Sequence, residues 1–308
     1  MKEQYVIVTA ARNEEKYIHL PLRAVVQQTF LPHKWVIVSD RSTDRTDDIV
    51  ISYAEKFPFI QLLKNTGKDG RNFGSQIKAI QLGVKELSNL TYGFIGNLDA
   101  DVSFGERYFE TLLHRLKEDP TLGLTGGYIH EKGADGEFRA RPTNSPRSVA
   151  HAVQLFRREC YEQIDGYQFL KYGGADSLAE ITSRMHGWHV VAFEDLEVRH
   201  HKPTLGKEGV LKGAFRQGLM DHSMGNLFSF ECARCLKRVN RYQFATYALL
   251  RFAGFLWGHF ADGKPQLSPE ILMYWRSEQR RLLTSFGRST VTSSVSKDKT
   301  PSNVFNDK

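Results

Sequence analysis

Apolar residues come in unbroken runs near the amino terminus, each closing on polar residues and followed by a helical pattern. Tyr5-Val6-Ile7-Val8 leads through Thr9-Ala10-Ala11 into Arg12-Asn13-Glu14-Glu15. Trp35-Val36-Ile37-Val38 repeats the arrangement and closes on Ser39-Asp40, with Thr43 placed to N-cap a helix that reaches Tyr53. A third run, Tyr92 to Leu98, ends on Asp99-Ala100-Asp101. Two successive strand-then-helix units predict parallel strands. Continuous rather than alternating apolarity predicts burial on both faces, so the polar strand ends should converge on one rim of a single sheet.

The pattern changes downstream. The stretch Lys68 to Ala79 reads as a glycine-bearing loop feeding a helix that runs to about Leu87. Between Thr121 and Arg158 short β segments are broken by Gly133, Gly136, Pro142 and Pro146, so 123–129 and 149–156 are expected as strands flanking a mobile loop. Asp176 and Glu180 stand four apart before Gly187 and would share one helix face. Phe244 to Phe260 is the most apolar stretch, yet it falls short of the roughly 20 residues that cross a bilayer, and Arg251 interrupts it. With Lys237, Arg238 and Arg241 upstream and Tyr247 and Trp257 inside, it fits a helix lying among lipid headgroups; a helix packed on the main domain fits as well. After Phe286 the composition turns to Ser, Thr, Lys, Asn and Asp, and a disordered tail is expected.

Candidate chemistry gathers at the predicted rim. Asp99 and Asp101, two apart at a strand end, offer hard oxygen ligands suited to Mg²⁺ or Mn²⁺, ions that take part of their shell from substrate phosphates. Acidic residues at strand ends also serve as plain turn formers and caps. Arg71, with Lys68 behind it, sits beside a helix amino terminus, where donors of fixed direction suit an anion or a nucleobase. No Gly-Lys-Ser/Thr follows, so the loop is not a P-loop. His200 and His201 follow a strand-like segment, and because successive strand residues point opposite ways only one should face the site.

In this order the motifs resemble the GT-A glycosyltransferases of family 2 over roughly residues 4 to 220. The opening strand and Asn-Glu are matched by Val8 to Glu15, the Asp-Asp-Gly-Ser-Thr-Asp segment by Ser39-Asp40-Arg41-Ser42-Thr43-Asp44, and the metal motif by Asp99-Ala100-Asp101. Ser39 replaces the first Asp and Arg41 the Gly, so the turn at Arg41 is expected to avoid positive φ. The resemblance implies a mostly parallel, Rossmann-like sheet flanked by helices. It implies a donor site formed by Thr9, Ala11, Asn13, Glu14, Asp40, Lys68, Arg71, Asp99 and Ala100, with a metal on Asp101 and Asp99 assisted by His200 or His201. Counting back from Gly187 places Asp176 on the family's catalytic Asp, where Ala175 replaces the usual Glu. A helix cap is the competing role for Asp176, and Glu180 is the alternative base or an acceptor ligand.

Composition narrows the rest. A chain of 308 residues with 41% hydrophobic content can bury one large core plus an appendage. We therefore expect a catalytic domain over 1–222, a helical extension over 223–287 that could meet a membrane surface, and a tail over 288–308. The three cysteines, Cys160 and the pair Cys232/Cys235, lack the partners of a zinc site and fit a reducing compartment. Met1 runs into the first strand without a signal peptide, so a cytoplasmic place is expected, peripheral on the membrane's cytoplasmic face if the extension binds lipid. The net charge of +7 suits anionic lipid or substrate, and no nucleic-acid-binding pattern accompanies it. The expected reaction is inverting transfer from a nucleotide diphosphate sugar, UDP first among nucleotides, to a saccharide or lipid-linked hydroxyl. The alternatives are a sugar nucleotidyltransferase, disfavoured because Thr9 to Glu14 is not its glycine-rich loop, a non-catalytic sugar-nucleotide binder and a membrane-surface interaction protein.

Overall fold

The computed structural model describes residues 4–67, 73–133, 135–202, 209–239 and 245–295. The first half alternates strand and helix: β1 (Tyr5–Ala11), α1 (His19–Val26), β2 (Lys34–Asp40), α2 (Thr46–Ala54), β3 (Ile60–Asn65), α3 (Phe73–Glu86) and β4 (Phe94–Asn97). Then come β5 (Val102–Phe104), α4 (Tyr108–Glu118), β6 (Leu122–Lys132), β7 (Phe138–Ala140), a 3₁₀ turn at His151–Val153, β8 (Leu155–Arg157), α5 (Arg158–Gln163), α6 (Ala175–Met185) and β9 (His189–His200).

The nine strands among the described residues form one sheet in the order β3-β2-β1-β4-β8-β6-β9-β5, with β7 on β6. The four strands from β3 to β4 are mutually parallel, as the strand-then-helix repeat requires. Beyond them the sheet is mixed: β8 runs antiparallel to β4 and β6, β9 parallel to β6, and β5 antiparallel to β9. Continuous apolarity is explained by alternation between two cores. Val6, Val8, Val36 and Val38 pack with Ile77 and Ile80 of α3, whereas Tyr5, Ile7, Trp35 and Ile37 pack with Leu22 of α1 and Leu112 of α4.

Two local expectations fail for identifiable reasons. The helix α2 is not capped by Thr43, whose Oγ1 faces Asn13 Oδ1 at 3.4 Å; Asp44 Oδ1 accepts instead from the Thr46 N–H at 3.0 Å. Of the expected strand over 149–156, His151–Val153 form the 3₁₀ turn and only Leu155 and Phe156 lie in the sheet, as part of β8.

Contacts divide the chain into two compact units, Met1–Gly213 and Ala214–Lys308, so the division falls inside α7 (Val210–Ser223) rather than after residue 222. The second unit is helical, with α8 (Phe228–Val239), α9 (Ala245–Ala261) and α10 (Pro269–Val295). Helix α10 carries eight residues, 288–295, that were expected in a disordered tail. No helix among the described residues is long and apolar enough to cross a membrane. Arg251, the charge that interrupts the apolar stretch, is buried, and Asp221 accepts from its Nε and Nη2 at 2.6 and 2.8 Å. Glu231 stands 3.5 Å away on the same guanidinium. Tight packing of α7 on α9 is visible at two glycines: a Cβ on Gly218 would lie 1.9 Å from Arg251 O, and one on Gly254 2.0 Å from Phe215 O.

Candidate active site

The carboxyl ends of β1 and β2 are sewn together. Asn13, at φ 54, accepts from the Thr43 N–H, and its own N–H reaches Ser42 Oγ at 3.2 Å. The Glu14 N–H donates to Thr46 Oγ1 at 2.8 Å and the Glu15 N–H to Asp44 Oδ2 at 3.1 Å. These bonds give Asn13, an expected donor contact, a structural task in joining the two loops. Thr9 and Ala11 point into the core, where Trp35 Nε1 donates to Thr9 Oγ1 at 2.9 Å, so neither side chain is presented to a donor.

Asp40 closes β2 and is buried. Its Oδ1 accepts from Arg41 Nε at 3.0 Å and Asn65 Nδ2 at 2.9 Å, and its Oδ2 from Arg41 Nη2 at 2.9 Å. Arg12 Nη1 stands 3.6 Å from the same carboxylate. Arg41 has φ 55, contrary to the expectation that this turn would avoid the left-handed region. A left-handed L-residue costs about 1–2 kcal/mol, and the bidentate grip on a buried carboxylate offsets it.

Asp99 and Asp101 follow β4, and β9 brings His200 opposite Val102. A bulge in the β6–β9 pairing, after Gly127, sets that register by dropping Tyr128 opposite Glu197. One ligand atom from each of Asp99, Asp101 and His200 lies within 4.8 Å of the others, and His200 Nε2 is 3.4 Å from Asp101 Oδ1. Asp101 Oδ1 and His200 Nδ1 are buried without a hydrogen-bond partner. Two carboxylates and an imidazole are a donor set that fits Mn²⁺ or Mg²⁺. Burial, with the Asp99 and Glu14 carboxylates nearby, pushes Asp101 up to about 7. Burial also opposes ionisation of Asp99, but the hydrogen bond and charge of His151, then His200 and Lys202, leave its carboxyl below the usual range. Burial lowers His200 and keeps the neutral imidazole that coordination needs.

His201 turns the other way: its Nε2 lies 2.7 Å from Ser103 Oγ and its ring meets Phe138 edge-on at 5.1 Å. It is therefore removed from the expected metal set. Ala100 is buried between the two carboxylates in sequence and offers only its backbone. Glu14 is paired with Lys202, and its Oε2 is buried without a hydrogen-bond partner. Lys68 and Arg71 lie outside the described residues.

Asp176 occupies the first turn of α6, after Gly174 at φ 98. Glu180, one turn on, is buried, and its Oε1 accepts from the Val149 N–H at 2.7 Å and Ser148 Oγ at 3.1 Å. Burial, against the nearby Arg184, pushes Glu180 up to about 8. Of the two carboxylates, Asp176 is the more accessible, and Glu180 is committed to holding the 148–149 backbone. Sequence reading missed Asn97, His151 and Lys202. His151 Nδ1 lies 3.3 Å from Asp99 Oδ1, a contact across 52 positions that no local pattern announces.

Residues 6–176 match the profile described as glycosyl transferase family 2. The chain belongs to glycosyl transferase family 2. Among curated relatives of this family, the poly-beta-1,6-N-acetyl-D-glucosamine synthase of Staphylococcus aureus strain COL is 27% identical over 127 residues, 41% of this chain and 28% of that protein. Streptococcus pneumoniae serotype 4 glycosyltransferase GlyG is 24% identical over 138 residues, 45% of this chain and 43% of that protein. The chain thus spans less than half the length of these relatives. Two solved structures resemble it: the mannosyltransferase PcManGT from Pyrobaculum calidifontis, in complex with GDP-Man and Mn²⁺, and Staphylococcus aureus TarS in complex with UDP-GlcNAc. The first has a TM-score of 0.53 at 17% identity and covers 94% of this chain and 80% of its own. The second has 0.52 at 17% and covers 84% and 73%. At such identities the shared property is the fold, the mixed α/β sheet of GT-A glycosyltransferases.

Proposed function

We propose that this family 2 protein is an inverting, metal-dependent glycosyltransferase that moves a hexose from a nucleoside diphosphate sugar to a saccharide or lipid-linked hydroxyl. The observation that carries the reading is the cluster of Asp99, Asp101 and His200 at the rim of the sheet. These residues would hold Mn²⁺ or Mg²⁺, which when bound supplies positive charge to a departing diphosphate. Asp40 and the β1 rim would border the nucleoside, and Lys68 and Arg71 remain donor contacts by family resemblance. Asp176 takes the proton of the acceptor hydroxyl as that oxygen attacks the anomeric carbon from the face opposite the nucleotide.

UDP sugars are the first donors to test, because TarS was solved with UDP-GlcNAc and a curated relative is named as an N-acetylglucosamine polymer synthase. Polysaccharide or glycolipid synthesis at the cytoplasmic face of a membrane is the setting we assign. Exposed Leu249, Trp257 and Phe260 on α9 support a peripheral association there. A screen of sugar nucleotides by thermal shift with Mn²⁺ identifies the donor, since a ligand that binds the folded state raises its apparent stability. With that donor, Asp176→Asn should lower turnover about 10²–10⁴-fold while the thermal shift stays as in wild type. Near-normal turnover would remove Asp176 as the base.

A further inference from the structure

The segment between Ser148 and Gln154 is fastened at both ends to the two halves of the candidate site. At one end Glu180, one helical turn beyond Asp176, accepts from Ser148 Oγ and the Val149 N–H. At the other, the Asp99 N–H donates to Ala152 O at 3.0 Å and the Asn97 N–H to Gln154 O at 2.8 Å. Gln154 is itself fixed, accepting from Tyr167 OH at 2.5 Å and donating to Val149 O at 2.9 Å. His151 stands in the middle of this strap with its side chain 19% exposed and its Nδ1 3.3 Å from Asp99 Oδ1. Asn97 Nδ2 donates to the His151 carbonyl at 2.6 Å and stands 3.3 Å from Nδ1 as well; since that amide nitrogen only donates, a proton on Nδ1 has the Asp99 carboxylate as its acceptor.

We infer that His151 is a positioning residue that fixes the Asp99 carboxylate for the divalent cation through Nδ1–H and ties that carboxylate to the segment gripped by the helix bearing Asp176. The inference deepens the proposed function and rests on its metal reading. A carboxylate that can turn freely presents the wrong oxygen for part of the time, and partners of metal ligands commonly change affinity about 10–100-fold.

The test is Mn²⁺ titration of the full chain, followed by electron paramagnetic resonance of the free ion, with no substrate present. Asn at position 151 can place an amide N–H near where Nδ1 stands, whereas Gln places it near Nε2. His151→Ala should bind Mn²⁺ about 10–100-fold more weakly, His151→Asn should recover most of the affinity, and His151→Gln should resemble Ala. Wild-type affinity in His151→Ala, or equal recovery by Asn and Gln, would overturn the inference while leaving the metal site standing. Failure of the wild-type protein to bind Mn²⁺ would overturn the metal reading itself. If His151→Ala does not fold, as judged by circular dichroism, the Asn and Gln variants decide the matter between them.

Discussion

Arg41 is the residue at which local strain and a buried charge meet. Replacing it by Gly would relieve the left-handed backbone, worth about 1–2 kcal/mol, but would strip the bidentate partner from a buried carboxylate, a loss that reaches about 3–5 kcal/mol in comparable pairs. Asn65 and Arg12 would remain beside Asp40, so the loss here lies at the lower end. Arg41→Gly should therefore lower the melting temperature; a rise would mean that strain outweighs the ion pair. Glu180 carries a second residue-scale consequence. Its carboxyl titrates at about 8 against an ordinary 4.5, so between those values the unfolded chain releases a proton that the folded chain keeps. Its stabilising contribution is full below about 4.5 and drains away as pH rises to about 8. Glu180→Gln keeps the acceptor for Val149 without the ionisation, so its melting temperature should gain on wild type across that window. A constant difference from pH 4 to 9, measured by calorimetry, would reject a protonated Glu180 in the fold. At this scale the sequence displayed the types of the candidate metal ligands but not their directions. Nothing in adjacent His200 and His201 says which one faces Asp101, because that depends on a bulge farther back along β9, in its pairing with β6.

The elements that were legible are those whose signal is local. The runs at Tyr5, Trp35 and Phe94 became three neighbouring strands, the helix expected to reach about Leu87 ends at Glu86, and the apolar stretch Phe244 to Phe260 coincides with α9. The residues over 149–156 misled because apolar positions in a strap buried between two hydrogen-bonded ends look like a strand's. Only the last eight residues of α10, 288–295, were missed, because their serine- and threonine-rich composition resembles a tail. Helices α7 and α9 allow a sharp packing test. Each glycine contact brings backbone against backbone, so there is no flexible side chain to yield. Gly218→Ala and Gly254→Ala should each destabilise the helical unit by about 1–3 kcal/mol, read as an earlier unfolding transition on denaturant titration. Ala at Gly105, where a Cβ meets nothing within 4 Å, serves as the control.

For the whole molecule, the exposed apolar side chains of α9 set the question of where the protein works. Leu249, Trp257 and Phe260 are 66%, 58% and 84% exposed, spaced so that they share one side of the helix, while Arg251 is turned inward to its acid partners. The sequence displayed this apolarity but not its division into a buried and an exposed side. In a flotation assay with vesicles containing anionic lipid, wild type should rise with the vesicles, and a Trp257→Ser, Phe260→Ser variant should stay at the bottom with an unchanged melting temperature. Equal flotation of the two would take α9 out of the membrane reading. The two loops sewn together beyond β1 and β2 bear on how chains of this kind diversify. A residue inserted in either loop would cut the bonds of both at once, so length variation among its relatives should concentrate in 133–148 and leave 12–16 and 41–46 constant in spacing.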